Sequence, residues 1–386
     1  MPSKQASMTP RERVLAAMRR DAVDYVPCCP KFNPLSPQQR VGKTWQFPWQ
    51  SDETQMLQHC VEVLGVDMTV ALPTGGWESS PEVTSSVHIE GDTLCKVYDT
   101  PAGQLSSTVR RDERWPHGDD ITLFSDFNPA HATQYWIESE QDLECLRHIM
   151  RPVDRPETLE ALREAHGRRC ALAARWNLPT IAHIGMGLTG ALQLFGPAEL
   201  CIAAIEKPDL VHGYLQLEHE VNLRQIEIVC ELGVDIVRRN GFYETADFYS
   251  PRMLEDLLFD RLQEEIRLAH EGGALTTYTV HTGVMPMLGY LRRLQFDCLM
   301  DIDISFRDTD LAAIRDSQED SKSFWTGPSN TFHMWADDPS GVREAVRECF
   351  EVLDGRGLII TATPSAHSIM PWENTLAMID EWRRLR

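Results

Sequence analysis

His281 closes the run ALTTYTV, rich in β-branched and aromatic residues, and Thr282-Gly283 follow at once as a tight turn. An imidazole at such a strand end could be a metal ligand or a general acid, and could equally serve to hydrogen-bond the next loop. Glu244 and Asp247 follow another strand, in the loop RRNGFYETADFYSP, ahead of Ser250-Pro251, which has the form of a helix cap and first turn. Either carboxylate could bind a metal or take up a proton. Glu244 lies nearer the strand end and is the stronger candidate, whereas Asp247 suits a helix amino terminus.

The elements that must hold these residues alternate regularly after residue 156. Helical ALREAHGRRCALAARW leads to strand TIAHIGMG, LVHGYLQLEHEVNLRQIEIVCELG to DIVRRN, MLEDLLFDRLQEEIRLAHEGG to ALTTYTVH, and PMLGYLRRLQ to CLMDIDI. Two further units run through FWTGPS and LIITAT. This many strand–helix repeats predict a parallel sheet closed into a (β/α)8 TIM barrel, an α/β fold occupying residues 1–386 as a single domain. No GxGxxG follows the first strand, so a dinucleotide fold has no support. At the start, Thr9-Pro10-Arg11-Glu12 is a capping box leading a short amphipathic helix. Residues 83–115 alternate polar and apolar between turn residues, which predicts a β-hairpin insertion beside the barrel mouth.

Barrel active sites lie at the carboxyl ends of the strands, so the polar residues just after each apolar run become candidates. Lys31, Asn33, His183 and Met186 qualify early in the chain. Arg239, Asn240, Tyr243 and Tyr278 flank Glu244 and His281. Trp325, Ser329, Asn330 and His333 come later, followed by Thr363, Ser365 and His367. Asp301 and Asp303 stand two apart in LMDIDIS, and one of them is expected to face the barrel axis while the other faces the helices. His367 follows the last strand and could approach His281 across the mouth, or be an exposed loop histidine.

Composition narrows the partners. The net charge of -21 repels a phosphate backbone, which argues against nucleic acid but not against an anionic small molecule held by local cations. No run approaches the roughly 20 apolar residues of a membrane span, and the first residues lack a secretory signal, so a cytoplasmic protein is expected. The ten cysteines are scattered without a CxxC pair and read as buried, reduced side chains.

Together these pieces resemble the uroporphyrinogen decarboxylase superfamily, in particular its cobalamin-linked methyltransferase branch. The resemblance rests on the start TPRERVLAAMRRDAVDYVP, the phrase YDTPAGQL, the run FGPAELCIAAIEKPDLVHGYL, ELGVDIV, the YTVHTG strand end and the terminal PWENTLAMIDEWR. It implies a methyltransferase that demethylates a small methylated, methoxy-type compound, with Tyr243 or Tyr278 positioning the donor oxygen. The methyl group would pass to a corrinoid (cobalamin) carried by a separate partner protein, because no DxHxxG motif is present. A homodimer is compatible with the resemblance.

The departures from the family pattern matter. The decarboxylases place an arginine-rich motif where this chain has Pro30-Lys31-Phe32-Asn33-Pro34, which disfavours tetrapyrrole decarboxylation, although Arg40 is near. The zinc-dependent members have His-x-Cys-Gly where this chain has His281-Thr282-Gly283-Val284, and a later cysteine where it has Thr363-Pro364-Ser365-Ala366-His367. A zinc site would therefore draw on Glu244, His281 and His367. The catalytic group implied is His281, Glu244, Tyr243 and Asp303. The alternative is a lyase on a small carboxylate, held by Arg239, Lys31 or Arg40, with His281 or an aspartate as proton donor.

Overall fold

The computed structural model describes residues 7–34, 42–318 and 321–386, so Arg40 lies outside the described residues. Thr9 caps helix Pro10–Met18: its hydroxyl accepts from the Glu12 amide, and the Glu12 carboxylate accepts from the Thr9 amide. Arg13 on that helix is buried and pairs with Asp24 at 2.7 Å and Asp67 at 2.6 Å, tying the chain start to two later segments.

Strands Val70–Leu72, Thr180–Ile184, Ile236–Asn240, Leu275–Thr279, Cys298–Asp303, Ser323–Gly327 and Leu358–Ile360 lie side by side in chain order in one curled parallel sheet. Both faces of such a sheet are covered, which is why the run CLMDID is buried throughout. Helices such as Pro208–Glu231, Pro251–Glu271 and Ser340–Leu353 connect the strands. Ser250 caps the second of these through the Met253 amide.

Among the described residues the hydrogen bonding supplies seven strands of the expected eight. Segment Pro27–Cys29 lies along the Leu358–Ile360 edge, with Cys29 N to Ile360 O at 2.8 Å and Ile360 N to Pro27 O at 2.9 Å, and the Cys28 carbonyl accepts from the amide of Asp67, which precedes strand Val70–Leu72, at 2.8 Å. Pro27 and Pro30 lack the amide hydrogens a full ladder would use.

A second sheet is antiparallel and joins Thr84–Glu90, Thr93–Thr100, Gly103–Arg110 and Ala132–Gln134. After strand Thr180–Ile184 the chain forms helices Gly187–Phe195 and Pro197–Glu206, broken at Gly196, before the long helix that the sequence pattern shows. All ten cysteines are free thiols, six of them buried. No single helix among the described residues is long and apolar enough to cross a membrane.

Candidate functional site

A cavity of about 680 Å³ lies over the carboxyl ends of the strands. Lys31, Asn33, His183, Met186, Asn240 and Tyr243 line it, as do His281, Trp325 and His367. The Phe32–Asn33 segment pairs in parallel with Ala366–His367, so an early and a late segment of the chain meet at one rim. The Trp325 indole N–H donates to the Cys29 carbonyl at 3.2 Å, which fixes the ring against the cavity.

Strand alternation decides which neighbours face inward. The register aligns His183 with Arg238, and Ile184 with Arg239 and Tyr278. His183 and Arg238 line the cavity, whereas Arg239 and Tyr278 turn toward the outer helices. Arg239 and Tyr278, expected as substrate contacts, therefore do not line this cavity. Arg238, the arginine that does line the cavity, could have been found from the period of two, since it shares a face with Asn240.

Glu244 follows Arg239 outward. Its carboxylate accepts from Arg239 Nη2 at 3.2 Å, the Leu188 amide at 3.0 Å and the Tyr278 hydroxyl at 2.5 Å. Arg239 also donates to Glu265 at 3.0 Å. Glu218 accepts from the Met186 amide at 2.5 Å and the Gly187 amide at 2.9 Å. Glu244, at 0% exposure, thus holds the loop after strand Thr180–Ile184 from behind the cavity wall and does not converge with His281. Burial raises its pKa against the opposing pull of Arg239.

His281 Nδ1 lies 2.8 Å from the Asp301 carbonyl, which can only accept, so this nitrogen carries the proton and Nε2 the lone pair of the neutral ring. Asp303 Oδ2 stands 3.9 Å from Nε2 and accepts from Ser329 Oγ at 2.7 Å. Burial pulls the His281 pKa down, Asp303 opposes this and Lys31 reinforces it. The neutral ring is a proton acceptor at Nε2; it becomes a donor there after protonation beside Asp303.

Asp301 and Asp303 both serve the cavity side, contrary to the expected split. Residues two apart share a face of a strand, and here the strand also bulges, with Asp301 at φ +71° and a register shift between Met300 and Asp303. Asp301 pairs with Lys31 Nζ and with Arg238 Nη2, the latter at 2.9 Å. Burial and the facing Arg238 guanidinium pull the Lys31 pKa below the lysine range, while the Asp301 contact works against that shift.

Zinc does not fit the residues expected to hold it. Glu244 is committed to Arg239, Tyr278 and Leu188 behind the wall. His367 Nε2 is 3.3 Å from Asn330 Nδ2 and 3.5 Å from Ser365 Oγ. Among the described residues no group of three or more His, Cys, Asp or Glu side chains is arranged to hold a metal ion.

No protein-family model and no curated protein matches the sequence. Among solved structures, the chain is similar in fold to a methyltransferase from Methanosarcina mazei, with a TM-score of 0.60 at 15% identity, covering 98% of this chain and 99% of that one. A B12-independent methionine synthase from Shewanella sp. W3-18-1, in complex with selenomethionine, aligns with a TM-score of 0.46 at 9% identity over 93% and 96% of the two chains. At 15% identity the property shared with the Methanosarcina mazei protein is the fold.

Proposed function

We propose that this chain is a methyltransferase that removes a methyl group from oxygen in a small methylated compound and delivers it to a reduced corrinoid brought by a separate protein. The observation that carries the reading is the meeting of Lys31, Arg238 and His281 in one cavity. The fold likeness to the Methanosarcina mazei methyltransferase and the segments resembling the cobalamin-linked branch of the uroporphyrinogen decarboxylase superfamily support it.

Transfer of the methyl group to such an acceptor would break the methyl carbon–oxygen bond, the bonding pair going to oxygen while the acceptor's pair takes up the methyl carbon. An alkoxide or phenolate leaves poorly unless its charge is met. Lys31 and Arg238 set positive charge in the same cavity, which lowers the cost of negative charge developing on that oxygen. Tyr243 stays protonated because burial raises its pKa, leaving its hydroxyl free to donate to the oxygen before cleavage. His281 Nε2 accepts from a substrate or water hydrogen.

A second reading, a lyase on a small carboxylate, is favoured by the same paired cations. Incubating the purified protein with reduced cobalamin and a panel of methyl ethers separates the two. Methyl transfer shows as the spectrum of methylcobalamin; carbon dioxide release from an acid with no methylcobalamin would replace this function with the lyase.

A further inference from the structure

We infer that the substrate is an anionic, flat-ringed molecule, its negative group held at the Lys31–Arg238 corner and its ring between aromatic side chains. The inference rests on the methyl-transfer reading for which bond breaks, but not for what binds.

The charge comes first. Arg238 is fixed by donation from Nε to Thr279 Oγ1 at 3.0 Å and from Nη2 to Asp301 at 2.9 Å. Its Nη1 makes no hydrogen bond among the described residues. Lys31 is paired with the other oxygen of the same Asp301 carboxylate. Two cations thus share one anion at this corner of the cavity. Two other carboxylates near the cavity are engaged elsewhere: Asp303 faces His281, and Asp126 is exposed at the rim and bonded to Gln193. His183 registers the resulting field. Its ring is open to the cavity, and its surroundings together with Arg238 and Lys31 pull its pKa down. A neutral imidazole beside two cations leaves the positive corner for the ligand to balance.

The shape comes second. Phe32, Phe242, Tyr243, Phe248 and Trp325 all line the cavity. Phe242 lies with its ring centroid 5.7 Å from the Arg238 guanidinium carbon, so ring and charge recognition are adjacent. Aromatic walls favour a planar partner by stacked or edge contact, and about 680 Å³ accommodates a single substituted ring.

Calorimetric titration with 4-methoxybenzoate, its neutral near-isostere 4-methoxybenzamide, and the ringless anion methoxyacetate tests both features. The acid should bind roughly tenfold or more tightly than either, as expected for one added charge-assisted contact or one stacked ring. Arg238→Gln should reduce the preference for acid over amide to within about threefold. Because Arg238 is buried, Lys31→Gln provides a second variant expected to shrink the same ratio. Equal binding of acid and amide by the wild type, or equal binding of methoxybenzoate and methoxyacetate, overturns the inference. Tight, charge-selective binding without methyl transfer to cobalamin supports it while removing the methyl-transfer reading. Methyl transfer from neutral ethers with no preference for the acid does the reverse.

Discussion

Arg238 and Arg239 are adjacent in sequence and serve opposite sides of one sheet: the first reaches Asp301 at 2.9 Å beside the cavity, the second reaches Glu244 at 3.2 Å and Glu265 at 3.0 Å among the outer helices. Replacing them should therefore have different consequences.

Arg239→Met strands Glu244 in the interior without its counter-charge and leaves Glu265 with His219 and Asn222 alone. It should lower the free energy of unfolding by about 3–5 kcal/mol, the cost of breaking a buried ion pair from one side. Denaturant titration measures this, and an unchanged midpoint would show that the network behind the wall is not holding the fold.

Gly187 has φ +49°, and a Cβ there would lie 1.9 Å from Glu244 Oε1. Gly187→Ala should cost roughly 1–3 kcal/mol from backbone strain alone. It should also weaken ligand binding, because Met186 and Thr189 of the same turn line the cavity. Thermal unfolding and titration with 4-methoxybenzoate read the two effects; normal values in both would contradict the close packing of Glu244 against this turn.

His281 has its pKa lowered by burial, so the ring stays neutral as pH falls through the usual histidine value of about 6.5. If Nε2 acts as an acceptor, the acid limb of the activity profile should lie below that value and disappear in His281→Ala. An acid limb above it, or one that survives the substitution, assigns the proton to another group.

For His219, burial disfavours the charged ring, but Glu265 and Glu264, each at 3.0 Å, outweigh it and raise the pKa. A raised folded value means the stabilisation is complete below about pH 6.5 and is lost as pH rises through the higher folded pKa. Unfolding free energies measured from pH 6 upward should fall with this slope, and His219→Gln should flatten it.

The sequence made much of this legible where local chemistry and global packing agree. The Thr9–Glu12 capping box, the Ser250 cap and the alternation of strands and helices all describe the elements observed, and His183, His281 and His367 do line one cavity. Spacing from a strand end was a poor guide for Glu244, because Glu244 sits in a turn whose direction follows from its tertiary partners Arg239, Leu188 and Tyr278. Arg238 and Asp301 illustrate a different loss. The first was readable from strand period, but the second depends on a bulge and a left-handed backbone that no periodicity reveals.

Methyl transfer to a corrinoid requires the methyl–oxygen bond to be the one that breaks. This is tested most directly by single-turnover reaction of an aryl methyl ether labelled with 18O in the methoxy group and 13C in its methyl, with reduced cobalamin as acceptor. Methyl transfer leaves the 18O in the demethylated product and places the 13C on cobalamin. Retention of the intact labelled methoxy group, with a carboxyl carbon leaving as carbon dioxide, would contradict it.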